Sequence, residues 1–304
     1  MNDIEISILM PVFNGEKFIE KTVDTIIKQS FKNWELIIAN DGSTDMTDVI
    51  CKKLSEKDRR IRIINKRNTG VANTRNILLT QAKGRYIGFV DSDDEIDKDM
   101  YMRLYSQIKK TESQLCICGF VKRKIIDEVD IKEKNYGLEI KDFIEVAELK
   151  KYYGEILNNR LLNPLWNKLY VREIIQKHNI LFIDKLTTGE DFYFNIEYLK
   201  YIQKVAFCKE LLYIYCTYTN CNSNITSKYI EDMYSVILER KLIMKKYLKE
   251  IDCYSIKNKI AINKRYFYGV ALVIKNLFHE DSNSNLGEKT KYILKTMINI
   301  MKLK

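Results

Sequence analysis

The chain has 304 residues, 46% of them hydrophobic and 30% charged, with two prolines, seven cysteines and a formal charge of +10. This composition excludes a disordered or low-complexity chain, and no run of about 18 apolar residues is present to span a bilayer as a helix. The positive balance suits anionic partners in general, including nucleotide phosphates, acidic lipid headgroups and nucleic acid, and selects none of them.

At its start, "MNDIEIS" runs straight into an apolar strand without a basic n-region or a small-residue cleavage site, so the chain reads as cytosolic. The cysteines form neither an even disulfide framework nor CxxC knuckles, which suits reduced, packed thiols. Through the first third, β-rich apolar runs alternate with helix-period segments. "IEISILMPVF" predicts a strand, "EKFIEKTVDTIIKQS" a helix, "WELIIAN" a strand and "TDMTDVICKKLSEK" a helix. "IRIINK" is then a strand, "GVANTRNILLTQAK" a helix and "RYIGFV" a strand. Continuous apolar strands separated by helices predict a doubly wound, mostly parallel α/β sheet covered on both faces.

In such sheets ligands bind beyond the carboxyl ends of the strands. The polar residues fall there: "PVFNG" after the first strand, "NDGSTD" after the second, "NTG" after the third and "DSDD" after the fourth. Ser43 and Thr44 suit capping of the next helix. Asp41, the first polar residue after its strand, points a carboxylate toward the ligand cleft. The tip at Asp91, Asp93 and Asp94 crowds acids closely enough to call for a cation, because two carboxylates ~4 to 5 Å apart repel by roughly 3 to 4 kcal/mol at a dielectric near 20. The competing reading is a solvated acidic turn that caps the next helix.

From residue 112, "QLCICGFVKRKI" predicts a strand, followed by charged, irregular sequence to about 143. "EVAELKKYYGEIL" is a helix, "NPLWNKLYVREIIQKHNI" a loop into a helix, "TTGEDFYFNIEYLKYI" a glycine turn into another, and "ELLYIYCTY" a strand that returns to the sheet. After Ser227 the periodicity is helical almost throughout.

Taken together, "SILMPVFNGEKFI", "NDGSTD", "NTGVANTRN", "FVDSDD" and "GEDFYF" resemble the family 2 glycosyltransferases, which use the GT-A fold. The resemblance covers about residues 4 to 220. It divides the chain into a nucleotide-binding half (1–110), an acceptor-binding half (111–220) and a helical C-terminal region (221–304). It implies a nucleotide-sugar donor, most simply a uridine diphosphate sugar, a divalent cation (Mn²⁺ or Mg²⁺), inversion at the anomeric carbon, and a glycan or glycolipid hydroxyl as acceptor. By the same resemblance Asp93 binds the metal, and Asp91 reaches the ribose or the metal's water shell. Pro11, Phe13 and Asn14 line the nucleoside pocket and Asp41 meets the base. Gly70 lets the backbone approach the donor. Arg75 meets the base or diphosphate, or forms a surface salt bridge. Phe13 stands where the family usually has tyrosine, so the ring is kept and the hydroxyl lost.

Asp191 matches the base that takes the acceptor proton, with Glu190 orienting the acceptor or the loop; both also suit a helix's first turn. In "WNKLY", Trp166 suits stacking on a sugar or burial in the core, and Lys168 suits a phosphate or an acceptor anion. His178 and His279 lack partners at ligand spacing and read as structural.

Rival classes fare worse. No GxGxxG follows the first strand and no GxxxxGK[ST] occurs, which removes dehydrogenase and P-loop readings. The first loop lacks the basic, Gly-rich character of a nucleotidyltransferase, and the QxxRW motif of processive synthases is absent. A non-catalytic basic module for nucleic acid or anionic glycan or lipid is the non-enzyme alternative, motivated by the positive charge, with "KNKIAINKRYF" (257–267) a partial match to the basic stripe with interleaved aromatics that it needs. The tail, with Leu286, Ile293, Leu294, Met297, Ile298 and Met301 on one helical face, is expected to pack on the body, with peripheral membrane binding as the alternative.

Overall fold

The computed structural model describes residues 3–126, 129–184, 189–218, 229–279, 282 and 285–302, with the backbone alone at 129–132 and 299–302. Thr187, Thr188, Cys221 and Ser227, and the Met301 side chain, lie outside the described residues. The chain divides into two compact units, Met1–Thr219 and Asn220–Lys304.

The first unit begins with β1 (Ile6–Val12), α1 (Ile19–Ile27), β2 (Trp34–Asp41), α2 (Thr47–Lys57), β3 (Ile61–Lys66), α3 (Val71–Gln81) and β4 (Tyr86–Phe89). These follow the expected alternation. β5 (Glu95–Ile96) and α4 (Met100–Thr111) come next, then β6 (Leu115–Ile126), β7 (Val129–Tyr136), β8 (Phe143–Glu145) and α5 (Leu149–Asn158). β9 (Lys168–Val171), α6 (Arg172–Lys177), α7 (Glu190–Leu199) and β10 (Lys204–Tyr218) complete the unit.

One sheet takes the order β3-β2-β1-β4-β9-β6-β10-β5. β1 pairs in parallel with both β2 and β4, and β2 with β3. The chain therefore reverses its winding direction at β1, which is where an α/β sheet opens a ligand crevice. β6 and β10 run the same way; β9 is antiparallel to both its neighbours, as is β5 to β10. The apolar runs are buried on both faces: Ile6, Ile8, Leu9 and Met10 of β1 and Leu36, Ile37 and Ile38 of β2 are fully inaccessible.

Two expectations change. The "WNKLY" segment is not a loop into a helix: residues 168–171 form β9, inserted between β4 and β6. Four residues are too few to show a period, and the neighbouring apolar spacing also suits a helix. Within the stretch taken as irregular, 129–136 is a strand antiparallel to β6. Its alternating lysines and acids conceal it, because a hairpin beyond the core needs no apolar face.

The second unit consists of α8 (Met233–Glu250), α9 (Ile256–Leu277) and α10 (Leu286–Lys302). Asp232 and Ser255 accept N-capping bonds from the backbones of Ser235 and Asn258, and Tyr234, Tyr266, Val270 and Val273 form a buried cluster. No described helix is long and apolar enough to cross a membrane.

Candidate active site

The β1 and β2 loops are zipped together by side chains. Asn14, in the left-handed region at φ 51°, receives the Thr44 N–H at 2.9 Å on its Oδ1, and its own N–H donates to Ser43 Oγ at 2.9 Å. The Gly15 N–H donates to Thr47 Oγ1 at 2.8 Å. Asn14 therefore holds the two loops together. Pro11, near the end of β1, is half-buried, and the Phe13 ring is 50% exposed and free to stack.

Asp41 closes the β2 end. Its carboxylate accepts from the Thr69 N–H at 2.9 Å and the Gly70 N–H at 3.0 Å and pairs with the Lys66 ammonium. The ammonium also donates to Thr69 Oγ1 and Thr74 Oγ1. Gly70 has φ +89° and ψ 162° and would hold a Cβ in open space. The backbone angle, rather than crowding by the protein, requires glycine there.

Arg75, one turn into α3, is 5% exposed. Its guanidinium donates to Asp191 Oδ1 at 2.7 Å, Glu190 Oε1 at 2.9 Å and Asp91 Oδ1 at 3.3 Å. Asp91 stands at the end of β4, whereas Glu190 and Asp191 form the first turn of α7, entered through Gly189 at φ 94°. One cation thus draws the β4-tip Asp91 together with two acids that lie 115 and 116 positions from Arg75 in sequence. The expectation that Arg75 meets the donor, or pairs at the surface, is corrected: the group is buried and committed to acids. Glu190 is likewise committed to Arg75 rather than displayed to an acceptor.

The arrangement leaves negative charge in excess. Burial raises the Asp93 carboxyl to about 6, with Asp91 adding repulsion. Asp94 is fully buried; its oxygens accept from the Tyr213 hydroxyl at 2.6 Å and the Cys216 N–H at 2.8 Å. Burial and the two neighbouring aspartates push it well above the carboxylate range. Asp94 therefore anchors the tip to β10. Tyr213 also receives the Asp91 N–H at 3.2 Å. The sequence reading missed Tyr213, although the two-residue spacing of Tyr213 and Tyr215 in "ELLYIYCTY" places both on one strand face.

Asp191 is pushed up to about 7 by burial, opposed by the Arg75 charge and reinforced by Glu190 and Asp91. Its helix is pinned by Asn195, whose amide donates to the Asp191 carbonyl at 2.9 Å and the Asn163 carbonyl at 2.8 Å, while its Oδ1 accepts from Tyr170.

Trp166 and Lys168 do not face an acceptor. Trp166 is 7% exposed; its ring lies 4.1 Å from Tyr213, nearly parallel, with the edge of Phe120 at 4.8 Å. Lys168 is fully buried. Its ammonium donates to the Leu161 carbonyl at 2.7 Å, Asn167 Oδ1 at 2.8 Å and the Pro164 carbonyl, and burial depresses it to about 7. Both residues pack the floor beneath the site. His178 stacks on Tyr201 at the surface.

Among the described residues no group of three or more His, Cys, Asp or Glu could hold a metal ion. The donor set at Asp91 and Asp93 nevertheless fits a Mg²⁺- or Mn²⁺-like ion, which takes one or two protein carboxylates and completes its shell with phosphates and water. Asp93, raised chiefly by burial and further by the neighbouring Asp91 charge, suits such a cation better than it suits solvent.

The profile of Glycosyl transferase family 2 matches residues 7–178. The chain belongs to that family. Its GT2 relatives include the uncharacterized glycosyltransferase EpsJ of Bacillus subtilis, 31% identical over 223 residues, which are 73% of this chain and 64% of EpsJ. Glycosyltransferase GlyA of Streptococcus pneumoniae is 31% identical over 242 residues, 78% of this chain and 34% of GlyA. The chain thus spans less than two thirds of either relative. Among solved GT2-like folds, S. aureus TarS 1–349 in complex with UDP-GlcNAc superposes with a TM-score of 0.64 at 21% identity, over 90% of this chain and 81% of that one.

Proposed function

We propose that the protein transfers a single sugar from a nucleotide-sugar donor to a hydroxyl of a glycan or lipid-linked oligosaccharide, with inversion. The observation that carries this is the convergence on Arg75 of Asp91 from the β4 tip and Asp191 from α7. It brings a donor-side acid and a candidate base to one point. The TarS complex with UDP-GlcNAc supports a uridine diphosphate sugar, hexosyl or N-acetylhexosaminyl, as donor.

The geometry supports the following roles. The exposed Phe13 ring stacks on the base, and the loop held by Asp41 offers the backbone at Gly70. Asp93 and Asp91 would hold a divalent cation; when bound, that ion would supply Lewis-acid stabilisation of the departing diphosphate. Asp191, raised toward neutrality, is tuned to accept the proton of the attacking hydroxyl near pH 7. Arg75 keeps Asp191 aligned and limits the rise that burial alone would cause.

Calorimetry of the full chain against UDP-GlcNAc, UDP-glucose and UDP-galactose, with and without Mn²⁺, tests the proposal. Binding of at least one donor, tightened by the metal, is the expected result. Donor binding indifferent to metal would remove the assignment of Asp91 and Asp93, and no donor binding at all would favour a non-catalytic module.

A further inference from the structure

We propose that helix α9 is a docking surface for an anionic lipid bilayer. The charge of the chain is unevenly placed. Residues 220–304 carry 16 Lys and Arg against 8 Asp and Glu, a net +8, whereas residues 1–219 carry 35 against 33, a net +2. Within the second unit α9 holds five basic residues, Lys257, Lys259, Lys264, Arg265 and Lys275, and no acid.

The same helix leaves an apolar stripe uncovered. Ile256, Ile260, Phe267, Ile274 and Phe278, just beyond its end, are 80%, 63%, 54%, 43% and 59% exposed. At 100° per residue they fall within about 40° of one line that runs roughly 33 Å. Lys257, Lys264 and Lys275 flank the line on one side and Lys259 on the other. The adjoining face is the one that folding uses, since Ile262, Tyr266, Val270, Val273 and Leu277 are buried and Tyr266, Val270 and Val273 join the unit's own cluster. The stripe is therefore surplus to folding.

A long apolar line bordered by lysines matches a bilayer interface, where acyl chains receive the apolar groups and anionic headgroups the ammonium groups. A second copy of the chain would set one +8 unit against another. Nucleic acid would satisfy the lysines but offer nothing to exposed isoleucine. This inference stands on the second unit and is independent of the transferase proposal.

Co-sedimentation of the full chain with vesicles of phosphatidylcholine, alone or with about 30% phosphatidylglycerol, tests it. Binding to the anionic vesicles should be at least about tenfold tighter and should weaken with salt. The double variant Phe267→Glu, Ile274→Glu should lose at least about tenfold in that binding. Lys257→Gln, Lys264→Gln and Lys275→Gln together should lose a similar amount and flatten the salt dependence. All these side chains are exposed, so an unchanged melting temperature verifies folding. As a readout that leaves the stripe apolar, Phe267→Trp should shift its emission to the blue on anionic vesicles. No preference for anionic vesicles, a preference untouched by the glutamates, an emission that does not move, or stripe-dependent dimers seen by light scattering without vesicles would each overturn the proposal.

Discussion

Two clusters of carboxylate chemistry lie at the strand ends of the first unit, and they differ in charge balance. Around Asp41 one acid meets one ammonium and two backbone N–H donors; every strong acceptor is answered within the β2 and β3 loops. Around Arg75, three acids (Asp91, Glu190 and Asp191) share one guanidinium, Asp93 and Asp94 add two more carboxyls beside Asp91, and burial raises Asp93, Asp94 and Asp191. The first cluster is complete as folded and holds a loop in shape. The second is short of positive charge, and that shortage separates a place for chemistry from a place for architecture.

Substitutions at four residues can break or sharpen the contrast. The largest effect belongs to Asp191→Asn, expected to cut turnover by ~10² to 10⁴ while calorimetric donor affinity stays within about twofold. A collapse of donor affinity would count against the base assignment. In the parent protein, kcat/KM should fall about tenfold per pH unit below roughly pH 7 as Asp191 protonates. The charges that set this value are Arg75 on α3, its neighbour Glu190, Asp91 at the β4 tip and Lys168 on β9.

Next comes Arg75→Met, which leaves the acids of the second cluster without their cation and should cost about 3 to 5 kcal/mol in urea unfolding. Arg75→Lys should recover part of this, because a point charge cannot fork to three partners. Asp41→Ala should cost about 1 to 3 kcal/mol by orphaning the Thr69 and Gly70 N–H groups. Unlike Asp191→Asn, it should act on stability more than on turnover. The smallest change is expected for Asp94→Asn. It removes a charge that burial already opposes but leaves one acceptor oxygen for two donors, the Tyr213 hydroxyl and the Cys216 N–H, so its unfolding free energy should fall by about 1 kcal/mol. A loss as large as that of Arg75→Met would mean that Asp94 belongs functionally with the excess acids.

The legibility of these clusters from sequence was uneven. Asp41, Asp91, Asp93 and Asp191 each follow a strong local signal, an apolar strand or a glycine turn, so their placement at the sheet edge could be anticipated. The functions expected for Arg75, Trp166 and Lys168 could not be judged in this way. An arginine in a helix's first turns, or a tryptophan beside a lysine, reads the same in sequence whether it faces a ligand or the core. Only the neighbours brought by the fold distinguish the cases, and for Trp166 those neighbours are Tyr213 and Phe120 from other strands.

What the amino-acid order determined alone was the alternation of apolar strands and amphipathic helices, with the polar loops gathered at one end. Side-chain periodicity is local, and burial on both faces of a parallel sheet demands continuous apolar runs. What tertiary structure decided was the insertion of β9 between β4 and β6, the burial of Lys168 within it, and the meeting of Arg75 with Asp191 across 116 positions. Those outcomes depend on which surfaces compete for the same space and on where an ion pair escapes solvent, and neither is encoded in any short window of the chain.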